Sequence, residues 1–106
     1  MKFKKKIIIG MICLAAAACG STARLFPDEK NLPAYQKKVP RITYGQVKEG
    51  AELYSKTCSG CHKLHDPKEY TIDGWNKNLT EMFPKAHLDD KQKQDLIRNY
   101  LFALSK

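Results

Sequence analysis

Cys58-Ser59-Gly60-Cys61-His62 is the stretch on which the reading of this chain turns. Two cysteines separated by two residues and followed at once by a histidine form the haem-attachment pattern. The two thiols meet the two vinyl groups of one porphyrin, and the spacing sets their separation. The adjacent imidazole then reaches the iron from the same side of the ring. The motif therefore asks for three bonds to one rigid object, which makes it specific. Two other chemistries use part of it. A redox-active dithiol wants a βαβ pattern around the pair, and none is readable here. A zinc site needs about four ligands; His62 with His65 or His87 could supply them on paper. Haem is favoured because zinc would leave the apolar helix stripes described below without an object to cover.

Moving towards the N-terminus, the other cysteines drop out as partners. The chain of 106 residues has four cysteines. Residues 1–18 have the form of an export signal: Met1-Lys2-Phe3-Lys4-Lys5-Lys6 is a positive start, and Ile7 to Ala18 is an apolar run of 12 residues. That run falls short of the roughly 20 residues a membrane-spanning helix needs. Cys13 lies inside it. Ala16-Ala17-Ala18-Cys19-Gly20-Ser21 resembles a bacterial lipobox, which implies cleavage before Cys19 and lipid on its sulfur. An ordinary Ala-x-Ala cleavage is the alternative. A multi-chain lipid anchor would hold the protein stably on a membrane. Only Cys58 and Cys61 then remain as a pair.

Removing the signal also changes the charge. The formal net charge of +8 falls to +4 when Lys2, Lys4, Lys5 and Lys6 leave. No arginine-rich cluster with interleaved aromatics remains, so nucleic acid is a poor partner. A mildly basic surface suits an acidic redox partner, although a merely solvated lysine surface fits as well.

Residues 19–42 read as a flexible tether, with Pro27, Pro33 and Pro40, scattered charge and no sustained apolar period. Fully extended, such a tether reaches about 70 Å. The folded module is expected over 43–106. A core this small needs a staple, and covalent haem is one. The module reads as all-α, with three helices. The first covers about Gly45 to Lys56, with Val47, Gly50, Ala51 and Tyr54 on one face. The second covers about Asp73 to Phe83, with Trp75, Leu79 and Met82 in one stripe and Pro84 as its stop. The third covers about Asp90 to Ser105, capped by Asp89 or Asp90 and burying Leu96, Ile97, Tyr100, Leu101 and Leu104.

From about residue 44 to 105 the chain resembles the class I c-type cytochromes, especially short bacterial ones. In that family a glycine and an aromatic on the N-terminal helix cross the C-terminal helix; Gly50 and Tyr54 match those positions. An aromatic followed by leucine on the C-terminal helix is matched by Tyr100-Leu101. The resemblance implies a cytochrome c-like bundle of about three helices around one haem c, bound through Cys58 and Cys61 with His62 on the iron. Its middle is compressed relative to the family, so the family's internal loops do not transfer.

The sixth ligand is implied to be a methionine sulfur, which raises the reduction potential. Met82 is the only methionine left after processing, 20 residues beyond His62. Its ordinary use would be core filling. His87 is the rival, giving bis-histidine ligation, and an open position is the third option. His65 is too near His62 to cross the ring. Trp75 and Tyr70 are candidates for haem packing or propionate contacts, with Arg41 a further propionate candidate. A carbonyl near Pro67 is the expected acceptor for the ring N–H of His62. Each of these residues could equally serve packing or a turn.

The expectation is thus an electron carrier rather than an enzyme. It would pass electrons between redox proteins of the bacterial cell envelope, lipid-anchored and facing the periplasm, with no small-molecule substrate. Two other roles stay open: a haem subunit of a larger membrane-bound reductase or oxidase, and an open-site haem sensor or peroxidase.

Overall fold

A computed structural model of the chain describes residues 25–58 and 64–106. Among these the secondary structure is entirely helical. Four α-helices are present: α1 (Leu32–Lys38), α2 (Tyr44–Cys58), α3 (Ile72–Lys85) and α4 (Lys91–Leu104). Short 3-10 turns cover Glu29–Asn31 and Pro67–Glu69. The described residues contain no helix long and apolar enough to cross a membrane.

The count corrects the expectation of three. The added helix, α1, lies within the stretch read as a tether. It has seven residues, Pro33 in its first turn and one buried residue, Tyr35. So short a helix is not stable alone and leaves no apolar period to read. Tertiary bonds hold it. The Tyr35 hydroxyl accepts from the Asp28 N–H at 3.1 Å. The Lys38 ammonium donates to the carbonyls of Ser105 and, at 3.0 Å, Lys106. Ahead of α1, the Tyr100 hydroxyl donates to the Leu25 carbonyl. Residues 25–38 are thereby strapped to the end of α4.

The other three helices have local causes. At the start of α2, the Thr43 hydroxyl accepts from the Gln46 N–H while the Gln46 side chain accepts from the Thr43 N–H, each at 3.1 Å. This reciprocal capping box satisfies two donors of the first turn. The Thr71 hydroxyl caps α3 through the Gly74 N–H at 3.2 Å. The Asp90 carboxylate caps α4, accepting from Gln92 and Lys93.

Helix α3 runs through Pro84 to Lys85 rather than stopping at Phe83. A proline in the last turn removes one backbone bond, and the chain closes with a different device. Leu88 N–H donates to the Phe83 carbonyl at 3.0 Å and His87 N–H to the Pro84 carbonyl at 3.1 Å. His87 adopts φ 55. This is a Schellman closure with a left-handed residue past the helix end.

Helix α4 is the hub, packing on α1, α2, α3 and the Pro67–Glu69 turn, most extensively on α2. The α2–α4 crossing is close because Gly50 has no side chain. A β-carbon there would lie 2.6 Å from the Tyr100 β-carbon and closer still to the Leu96 carbonyl. Val47, Ala51, Tyr54, Trp75, Leu79, Ile97, Tyr100 and Leu101 are almost entirely buried in the core this crossing organises.

Candidate functional site

The site is built outward from Cys58. Gly50, Tyr54 and Cys58 are spaced i, i+4, i+8 along α2, so they share the face turned to the core, and all three are buried. Cys58 is the last residue of α2. The crossing of α2 on α4 therefore fixes where the Cys58-to-His62 run begins. Cys61 and His62, like Cys19 and the residues 1–18 read as an export signal, lie outside the described residues.

The chain is described again from Leu64, and there it is gripped. The Tyr54 hydroxyl donates to the His65 carbonyl at 2.9 Å and accepts from the His65 N–H at 3.1 Å. Two residues on, the Pro67 carbonyl accepts the indole N–H of Trp75 at 2.7 Å. Asp66 caps the 3-10 turn between them, its carboxylate accepting from the Lys68 N–H at 2.9 Å. An aromatic cluster packs beneath this segment. Trp75 meets Tyr54 edge to face at 6.2 Å and Tyr70 at 5.0 Å, and Tyr54 lies 5.8 Å from Tyr100.

The expected site residues that fall within the described stretches are placed as follows. Trp75 is fully buried, and its one N–H is spent on Pro67, not left for a propionate. The Pro67 carbonyl, expected to serve His62, has that bond already; a carbonyl carries a second lone pair. Tyr70 is half-buried, its ring 5.8 Å from that of His65. The His65 ring pairs with the Glu69 carboxylate at 2.8 Å. Arg41 is exposed at φ 69, the third residue of a Val39-Pro40-Arg41-Ile42 turn closed by the Ile42 N–H on the Val39 carbonyl.

The stripe on α3 differs in one useful respect. Phe83, not Met82, is the buried residue that completes Trp75 and Leu79. Met82 stands beside it, half-buried at the rim of the core. Leu53, Leu64 and Leu88 are half-buried apolar residues against the same core. His87 is exposed, and its backbone closes α3.

The electrostatics are those of buried phenols. Burial pushes the hydroxyls of Tyr54 and Tyr100 well above the ordinary tyrosine range, against the His65 backbone bond that lowers the first. Both remain protonated donors at neutral pH. Sequence reasoning found Tyr54 as a packing residue but missed its hydroxyl, because the partner is backbone 11 residues away.

The donor set suits an iron porphyrin. It offers two thiols and an imidazole within one run of five residues, Cys58 to His62, and a thioether at Met82; Met82, Leu53, Leu64 and Leu88 are half-buried against the core that also buries Cys58. Among the described residues no three His, Cys, Asp or Glu side chains gather as a metal site. Compared with family models, with curated proteins and with solved structures, the chain matches none.

Proposed function

We propose that this chain is a monohaem c-type cytochrome that carries electrons between redox proteins of the bacterial cell envelope. The reading rests first on Cys58-Ser59-Gly60-Cys61-His62. The structural observation that supports it most is the Gly50–Tyr54–Cys58 line of α2, packed on α4 through Gly50 and Tyr100 and ending at the first cysteine of the motif. That is the crossing the resemblance implies.

In this reading Cys58 and Cys61 would hold haem c as thioethers, and His62 and Met82 would bind its iron. Bound there, the group supplies a one-electron Fe(III)/Fe(II) couple. The protein's own work is positional. Phe83 fills the core place that Met82 would otherwise take, which leaves the thioether at the rim for ligation. Trp75 and Tyr70 pack beneath the segment that leaves the motif and keep water from it. No substrate pocket is required. Cys19 carries lipid and keeps the domain at a periplasm-facing membrane surface.

The test is a spectrum of the haem-loaded protein, oxidised and reduced. A low-spin iron with the long-wavelength methionine–iron band, lost in Met82→Ala and kept in His87→Ala, is the expected result. A high-spin iron that binds exogenous ligands sinks the shuttle and points to a sensor or peroxidase. Co-purification with a membrane reductase or oxidase points to a subunit role. Release of Cys19→Ser into the soluble fraction is expected; retention on membranes counts against lipidation.

A further inference from the structure

Phe26 is the one large apolar side chain among the described residues that stands exposed, at 45%. It is not a loose end. On one side the Leu25 carbonyl accepts from the Tyr100 hydroxyl; on the other the Asp28 N–H donates to the Tyr35 hydroxyl at 3.1 Å. Pro27 is buried and Leu25 half-buried. The ring is therefore held outward by a chain whose ordering already belongs to the fold, which lowers the entropic cost of using it as a contact. It lines a groove of about 370 Å3 between the strap and the end of α4. Ala34, Tyr35, Ala103 and Leu104 give that groove its apolar lining, and the exposed Lys68 stands beside them.

A lone exposed phenylalanine is an ordinary surface feature; this one is singled out by where the chain leads. Leu25 is the first described residue after Cys19, and only residues 20–24 lie between them. A bilayer holding Cys19 therefore lies within about 22 Å of the strap. Charge agrees: residues 25–41 carry Lys30, Lys37, Lys38 and Arg41 against Asp28 and Glu29. An anionic lipid surface attracts such an excess, and aromatic rings settle at the headgroup boundary of a bilayer.

We propose that the strap face is the surface that lies on the bilayer, with the Phe26 ring in the headgroup boundary and the strap's cations and Lys68 attracted to anionic headgroups. The choice of a lipid surface as the occupant rests on the lipid-anchor reading above.

The experiment places the lipidated full chain on vesicles of phosphatidylethanolamine and phosphatidylglycerol and reads quenching of tryptophan emission by lipid brominated high in its acyl chains. Trp75 is fully buried and supplies the unquenched background. Phe26→Trp is expected to add emission that is blue-shifted and quenched. Lys93→Trp, at an exposed position about 17 Å along α4 from Leu104, is expected to add emission that is not. An unquenched residue 26, or equal quenching at 26 and 93, overturns the proposal. In Cys19→Ser at vesicle excess, Phe26→Ser is expected to weaken binding to the same vesicles by roughly tenfold, the scale of burying about half a phenylalanine side chain. Equal binding, or none by either chain, overturns the proposal as well. A protein isolated without lipid fails the anchoring reading by itself; the Phe26→Ser comparison is then made on that chain, with the same outcomes deciding the face.

Discussion

Gly50 stands so close to Tyr100 that a β-carbon at residue 50 would lie 2.6 Å from the Tyr100 β-carbon. The Leu96 carbonyl is nearer still. Neither neighbour is the free end of a flexible side chain, so the two helices must separate to admit a methyl group. Gly50→Ala gains about 1 kcal/mol of helix propensity and loses more to overpacking, which costs up to about 3 kcal/mol in a tight core. A net loss of about 2 kcal/mol is expected, read as a lower urea midpoint at unchanged slope. A variant as stable as the wild type would mean that the helices do not cross here.

Three of the four helices were legible because each buries a stripe. Val47, Ala51 and Tyr54 fall on one face of α2, Trp75 and Leu79 on one of α3, and Ile97, Tyr100, Leu101 and Leu104 on one of α4. Helix ends shifted by one or two residues, since ends depend on caps such as Thr43 and on the turn at His87. Helix α1 was not legible: one buried tyrosine makes no period. Of the candidate site, side-chain chemistry and spacing singled out Cys58 and Met82 in the sequence. The part carried by backbone was not legible. That Tyr54 would bind His65 and Trp75 would bind Pro67 follows from how α2 and α3 pack, which no local pattern encodes.

His87 offers a test that separates fold from ligation. Its φ of 55 places a residue with a β-carbon where glycine costs nothing. The left-handed region costs an ordinary residue roughly 1–2 kcal/mol. His87→Gly is therefore expected to raise stability by about 1 kcal/mol, less a few tenths for the added freedom of the unfolded chain. Thermal unfolding measures this. The visible spectrum of the haem-loaded variant is expected to match the wild type. A changed spectrum would make His87 the sixth ligand in place of Met82.

The buried phenols set an alkaline limit. Tyr54 and Tyr100 hold their protons far above the ordinary value of 10.0 because burial disfavours the phenolate. Unfolded, they ionise near that ordinary value. Above it the unfolded state binds fewer protons than the folded one, so stability falls as pH rises. Their contribution is intact below pH 10.0 and declines above it, by up to about 1.4 kcal/mol per pH unit for each phenol. Urea midpoints measured upward from pH 9 are expected to fall more steeply for the wild type than for Tyr54→Phe. Equal slopes would mean that the Tyr54 hydroxyl titrates freely.

The strap shortens the leash. Read as a tether, residues 19–42 would let the domain roam about 70 Å from its anchor. Yet Leu25 and Lys38 are bound to the fold, through Tyr100 and the carbonyls of Ser105 and Lys106, and Tyr35 between them is buried in the core. Only residues 20–24 separate Cys19 from the first strapped residue. Six steps of extended chain reach at most about 22 Å. If Cys19 carries lipid, the domain sits at the membrane surface and its partner must come to that surface. Neutron reflectometry of the lipidated protein on a supported bilayer is expected to find the protein layer starting within that distance of the headgroups. Lengthening the chain between Ser21 and Thr22 with a Gly/Ser insert should raise the layer. A layer that starts farther out in the unaltered protein would show the strap released, and would return residues 25–38 to the role of a tether.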